Sequence, residues 1–321
     1  MIFEDKLIKK INETTKDKKY KVVIPDAEDP KMIESLKYLK NVKIILVGKK
    51  EKVQTLINEQ EGISIEIEII EPNLNVKLKE ILKNKMSKIK TDEQANDLLM
   101  QPNYYATLLL ESGYADCLVG GSRYATKDIL RPAFQIIKAS DKTVPVSSFM
   151  LLNKGDETII MSDCAINLNP TPDELAKITK ATMDSVKSLG FEVKVAMLSY
   201  STLGSGSGES VDKVREAYEI FIKEYPENAK NVIGEIQFDA ANNERVASIK
   251  VKESRIAGKA NIFIFPNLDS GNIGYKIAQD LGGYEVVGPL LQGINKPVND
   301  LSRGAKPIDI AKTIYLTLAM I

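Results

Sequence analysis

The alternation of apolar runs with amphipathic stretches along this 321-residue chain predicts an α/β protein built on parallel sheets. Two observations carry that expectation. Short apolar runs (YKVVI, VKIILV, ADCLVG, VKVAML, VIGEI and ANIFIF) recur through the sequence. Most meet a glycine or proline turn and then a stretch with helical periodicity, the pattern of strand, turn and crossover helix.

Taken in order, 20–25 reads as a first strand, and 29–40 as a helix after the turn PDAEDP. Strand 42–48 and helix 49–60 repeat the unit. Residues 63–70 alternate apolar with acidic side chains, as an edge strand does, and Pro72 closes them. Helical patterns follow at 76–88, at 91–100 (opening on the capping box of TDEQ) and from Pro102. A buried strand at 115–119 runs into Gly120 and Gly121, then a helix at 126–138. At Val144 and Pro145 the pattern changes: SSFMLLN and ETIIMSD read as a hairpin around Lys154 and Gly155. Helix 172–189, strand 193–199, helix 210–225, strand 232–238 and helix 242–250 come next. Near the C-terminus an apolar run (261–265) stops at Pro266, and a turn with Ser270, Gly271 and Gly274 opens a helix. A second run (284–291) ends in Gly293. The cluster Asn299, Asp300, Ser302 and Arg303 reads as a polar loop, and 307–321 as a last helix returning to the first domain. The expected domains are 1–143 with 297–321, and 144–296.

Composition narrows the function. Lys plus Arg equals Asp plus Glu at 44 each, so the chain carries no global basic field for nucleic acid or an anionic membrane. No apolar run nears the ~20 residues of a membrane span. The N-terminal 21 residues read as a charged amphipathic helix and not a signal peptide. Cys117 and Cys164 lack CxxC spacing and fit a reducing, cytoplasmic setting. There is no histidine, which excludes a Ser-His-Asp triad, a Cys-His dyad and imidazole-dependent zinc sites. Proton transfer falls to a carboxylate, Lys, Tyr or Cys.

Four segments carry candidate chemistry. LSYSTLGSGSGES (198–210) joins a strand to a helix with small residues, which let amides and hydroxyls approach an anion. It lacks the GK[ST] of a Walker loop and the spacing of a dinucleotide fingerprint. ADCLVGGSRYATKDILRPAFQIIK (115–138) places Arg131 and Pro132 inside a helical pattern, where arginine needs a partner and proline breaks a backbone bond. PVNDLSRGAKPID (297–309) sets a hydroxyl beside a guanidinium, a pair suited to a planar anion. Lys83, Lys85, Lys88 and Lys90 make a basic face.

Together with SDCAINLNPTPDELAKI and GEIQFDAA, these segments resemble the phosphate acetyltransferase family from about residue 20 to the end, most closely from 115 onward. The resemblance implies two three-layer α/β domains with a cleft between them, of the isocitrate/isopropylmalate dehydrogenase-like architecture, commonly in a homodimer. It implies reversible acetyl transfer between coenzyme A and phosphate by direct thiolate attack in a ternary complex, with no metal and no cofactor beyond the substrate CoA. Ser302, Arg303 and Asp309 map onto the family's active-site residues. Asp309 is expected to take the thiol proton while Ser302 positions the sulfur. CoA phosphates fall to Arg131 and Lys85, the latter standing where the family has arginine. Thr126, Ser201, Thr202, Ser205 and Arg303 are the expected ligands of phosphate and acetyl phosphate. The sequence departs from the family at Tyr124 and Ala125, where His and Ser or Thr are usual. A phosphate butyryltransferase, and a non-catalytic ligand-binding domain like that fused to malic enzymes, are the alternatives.

Overall fold

The computed structural model describes residues 18–251 and 254–321, so the expected N-terminal helix lies outside the described residues. The described residues divide into two compact units, one of 18–140 with 294–321 and one of 141–251 with 254–293.

The first unit begins with β1 (Tyr20–Ile24), α1 (Pro30–Ser35), β2 (Val42–Val47), α2 (Lys50–Asn58) and β3 (Glu66–Ile70). Three helices follow, α3 (Val76–Lys85), α4 (Asp92–Leu99) and α5 (Pro102–Glu111), then β4 (Cys117–Gly120) and α6 (Thr126–Pro132). The second unit runs β5 (Ser147–Lys154), β6 (Glu157–Ser162), α7 (Pro172–Ser188), β7 (Val195–Leu198), α8 (Glu209–Glu224) and β8 (Val232–Ile236). It continues with α9 (Phe238–Asn242), α10 (Glu244–Lys250), β9 (Ile262–Ile264), α11 (Leu268–Asp280) and β10 (Glu285–Gln292). The chain then returns to the first unit with β11 (Val298–Asp300) and α12 (Pro307–Ala319).

In the first unit the strands lie in the order β3-β2-β1-β4-β11, all parallel. The chain winds outward from β1 to β3 and resumes at β4 on β1's other side. That reversal makes a topological switch point beside the carboxyl ends of β1 and β4, where open α/β sheets bind ligands. Val22, Ile24, Ile44, Leu46 and Val119 pack here against Met32, Ile33 and Leu36 and against Ile310, Ile314 and Leu318 of α12, all buried. The last helix thus returns to this unit. In the second unit the order is β10-β5-β6-β9-β7-β8. β9 and β10 run the same way, as the turn-helix pattern between them predicts, but β5 and β6 are inserted between them as an antiparallel hairpin.

Three expectations change. The helix predicted over 126–138 ends as α6 at Pro132, which brings no N–H, and a wider π-turn (Ala133–Ile137) takes up the chain. The strand expected over 232–238 stops at Ile236 and the short helix α9 follows it, while the helix expected at 242–250 starts after Asn243, whose side chain caps α10 by accepting from the amides of Arg245 and Val246. The polar loop at 299–300 is the strand β11, bonded to β4 with Asn299 and Asp300 fully inside. Periodicity missed it because two polar residues in a three-residue strand carry no apolar signal.

Candidate active site

At the switch point of the first unit, β1 leads through Pro25 into Asp26, whose carboxylate is buried. It accepts the amides of Gly121 (2.7 Å), Arg123 (2.9 Å) and Tyr124 (3.2 Å), which follow β4. Such a ring of amides is an anion-binding nest, and here the protein's own carboxylate fills it. Burial raises the Asp26 pKa against the pull of those amides, and burial with the Asp26 charge pushes Tyr124 to about 12. A cavity of about 620 Å³ opens beside this turn, lined by Glu28, Asp29, Lys52, Leu56, Ser122 and Arg123 among others.

Asp300, at the end of β11, lies against the same turn. A Cβ on Gly121 would fall 2.2 Å from its Oδ1, so only glycine lets the two strand ends meet. The Thr126 hydroxyl donates to Oδ2 at 2.7 Å, whereas Oδ1 is buried with no partner among the described residues. Burial chiefly, with the Asp26 charge, raises Asp300 to about 7. Sequence reasoning noticed Asp300 only as part of a polar cluster and passed over Asp26. For Asp26 the available signal was an acid two residues beyond an apolar run; Asp300 had none.

The segment after Asp300 holds the residues the family resemblance points to. Ser302 and Arg303 are exposed, and Lys31 Nζ donates to the Arg303 carbonyl at 2.7 Å. A turn closed by Ala305 N–H on the Ser302 carbonyl (2.9 Å) leads into α12. Asp309, half-buried in its first turn, accepts the Lys306 amide at 3.3 Å. The carboxylate thus anchors the helix start, where it also complements the dipole. Among the described residues the Arg303 guanidinium has no ion-pair partner.

The other positions separate. Arg131 is exposed in the last turn of α6, so the expectation that it needs an internal partner falls away: water solvates it. Lys85 ends α3 in an ion pair with Glu111 at 2.6 Å. Lys83 pairs with Asp92, which occupies part of the basic face. Thr126, Ser302, Arg303, Asp309, Arg131 and Lys85 all belong to the first unit.

Ser201, Thr202 and Ser205 belong to the second, in the loop after β7. The sequence offers this loop's amides to an anion, but five consecutive amides turn inward. Thr202 donates to Ser205 Oγ, Leu203 to the Glu235 carbonyl, Gly204 to Glu235 Oε1, Ser205 to the Thr202 carbonyl and Gly206 to Ser201 Oγ. Glu235, at the end of β8, is the hub. Its carboxylate also accepts Ser201 Oγ (2.9 Å) and Arg215 Nε and Nη2 (3.2 and 3.3 Å). Burial works to raise its pKa, but the Gly204 amide, Arg215 and Ser201 outweigh it and hold the carboxyl below the usual range. The Thr202 hydroxyl donates to Gln237. Ser205 is exposed, and its Oγ accepts from the Thr202 amide. Asp163, in the SDCAINLNP segment, is likewise an internal acceptor, for Ser148, Ala165, Ile166 and Asn167.

With this geometry in place, comparison with known proteins is direct. The family model described as "Phosphate acetyl/butaryl transferase" matches residues 6–318. The chain belongs to that family. Curated relatives include a phosphate acetyltransferase of Staphylococcus aureus, 40% identical over 98% of both chains, and one of Bacillus subtilis, 37% identical over the same shares. Among solved structures, a phosphotransacetylase from Streptococcus pyogenes superposes with TM-score 0.90 at 40% identity, over 99% of this chain and 98% of that one. A branched-chain phosphotransacylase from Enterococcus faecalis shares the fold at 20% identity and TM-score 0.69, over 94% of this chain and 99% of that one. In the first unit the buried Asp26 and Asp300 lie beneath the exposed Thr126, and in the second the Glu235-centred loop carries the exposed Ser205. No described helix is long and apolar enough to cross a membrane.

Proposed function

We propose that this enzyme of the phosphate acetyltransferase family reversibly transfers an acetyl group between CoA and phosphate. The observation that carries the reading is likeness over nearly the whole length, 37–40% identity across 98% of the chain, to relatives named for that reaction. Exposed polar groups in the family's active-site segment support it. In the direction of CoA acetylation, the thiolate attacks the carbonyl carbon of acetyl phosphate. The C–S bond forms, the C–O bond to phosphorus breaks, and phosphate leaves with the electron pair.

Arg303 is positioned to receive the phosphoryl and carbonyl oxygens through its planar fork. Asp309 takes the thiol proton, with Ser302 aligning the sulfur. Thr126 and Ser205 donate to the phosphoryl group, while Ser201 and Thr202 hold the loop that presents Ser205. Arg131 and Lys85 hold the phosphates of CoA, Lys85 by leaving Glu111. The substrates are CoA and acetyl phosphate with no further cofactor, and the enzyme works in the cytoplasm as a homodimer in two domains, 1–143 with 297–321 and 144–296. Relatives of about 40% identity are named for acetyl transfer, which favours acetyl over butyryl.

The test is thiol consumption with acetyl phosphate or butyryl phosphate and CoA. Turnover with acetyl phosphate should dominate, and Asp309→Asn should collapse turnover while the Michaelis constant for CoA stays nearly constant. A folded enzyme that ignores acetyl phosphate would end the reading; normal turnover in Asp309→Asn would return that acid to its helix-anchoring role.

A further inference from the structure

Asp300 has the burial of a core residue and the hydrogen bonding of an unfinished site. It is 1% exposed, one carboxylate oxygen has no hydrogen-bond partner among the described residues, and the other is held by the hydroxyl of the exposed Thr126; the nearby Leu301 amide, which bonds the Gly120 carbonyl, favours the ionised form but does not outweigh burial. A permanently ionised carboxylate in that setting would be costly, because one hydroxyl and one shared amide are few donors for a buried charge. The groups facing it are few. Asp26 comes from the turn after β1, Gly121 from the end of β4, Thr126 from the start of α6 and the Leu301 amide from the residue after Asp300, so the one charge among them is of like sign.

We propose that Asp300 is a positioning residue that decides whether Thr126 presents its hydroxyl hydrogen to the phosphoryl group. With Asp300 neutral, its own O–H donates to Thr126 Oγ1, and the threonine hydrogen turns outward to a bound oxyanion. With Asp300 ionised, Thr126 must donate inward, and a dianion meets only lone pairs backed by negative charge. Binding of a phosphoryl dianion is therefore coupled to uptake of one proton by Asp300. The inference rests on the proposed role of Thr126 at the phosphate and adds the group that controls it.

The protein isolates this titration well. Asp300 is raised to about 7 by burial and by Asp26. There is no histidine, and both cysteines are buried with their thiols pushed far up by desolvation, so few other side chains change charge between pH 6 and 8.5.

Sulfate is a suitable probe, because it is a tetrahedral dianion that does not itself titrate there. Its binding to the full chain, measured by calorimetry, should weaken by up to about thirtyfold between pH 6 and 8.5 for a one-proton linkage centred near 7. In Asp300→Asn the amide donates permanently to Thr126, so binding should stay tight and the pH slope vanish. Thr126→Ser should keep the slope, and Thr126→Val should lose both affinity and slope. A flat wild-type profile, an unchanged slope in a folded Asp300→Asn, or wild-type behaviour in Thr126→Val would each overturn the proposal. If Asp300→Asn does not fold, the wild type and the two threonine variants decide the matter. Failure of acetyl transfer with the sulfate profile intact would count against the function and leave this coupling standing. Normal transfer with a flat profile would do the reverse.

Discussion

Glu235 and Asp300 make an instructive pair. Each ends a parallel strand, one in each unit, and they are 2% and 1% exposed. Glu235 gathers a serine hydroxyl, a backbone amide and two guanidinium nitrogens, and its pKa falls. Asp300 has one threonine hydroxyl, a Leu301 amide shared with the Gly120 carbonyl and an oxygen without a hydrogen-bond partner among the described residues, and its pKa rises to about 7. Near-equal surface exposure thus gives opposite outcomes, because Asp300 lies deeper among protein atoms and has fewer donors and no cation beside it. Depth of burial, together with the donors and charges that the neighbouring loops bring, decides whether a covered acid is a fixed strut or a group that can take a proton.

The largest test of that contrast removes the strut. Glu235→Ala removes the acceptor of the Gly204 amide and Ser201 and leaves Arg215 with Asp212 as its carboxylate partner. It should cost about 3 kcal/mol in urea denaturation, toward the low end of the range for breaking a buried charged pair because Arg215 reaches solvent. Turnover should fall as well, since Ser205 rides on this loop. A loss below about 1 kcal/mol would mean that the loop holds itself without the hub.

The second test uses pH, where the two acids should differ in sign. Asp300 has a folded pKa above its unfolded value, so the folded state binds the extra proton and stability declines as pH rises from about 4 through 7. Asp300→Asn removes that penalty, so its stability relative to wild type should improve by a few kcal/mol between pH 5 and 8. Glu235 has a depressed folded pKa, so its contribution is present above the unfolded value and lost as pH falls through the folded one. Glu235→Gln should therefore be destabilised at pH 7 and converge on wild type in acid. Parallel pH profiles for the two variants would break the comparison.

Smaller effects concern exposed groups, where water screens charge. Arg303→Lys keeps the charge and loses the fork, and should lower turnover by about tenfold or more with little change in stability. Lys85→Ala breaks a partly exposed ion pair and should cost less than about 1 kcal/mol, with a higher Michaelis constant for CoA as its functional readout. An unchanged constant would assign Lys85 wholly to Glu111.

By itself the sequence determined the α/β class, nearly every strand and helix, and the family. Those depend on patterns within one element (apolar runs, capping boxes, glycine turns) or on motif wording that survives without coordinates. The capping box at Thr91 and Gln94, for example, needs only residues three apart. Tertiary structure alone decided which polar groups are spoken for. Ser201 meets Glu235 across 34 positions, and Thr126 meets Asp300 across 174. Nothing local in PVND marks Asp300 as a buried strand residue, because its burial comes from β4 beside it and Gly121 against it. Hydrogen bonds between distant segments, and the desolvation that makes them matter, exist only once the chain has folded.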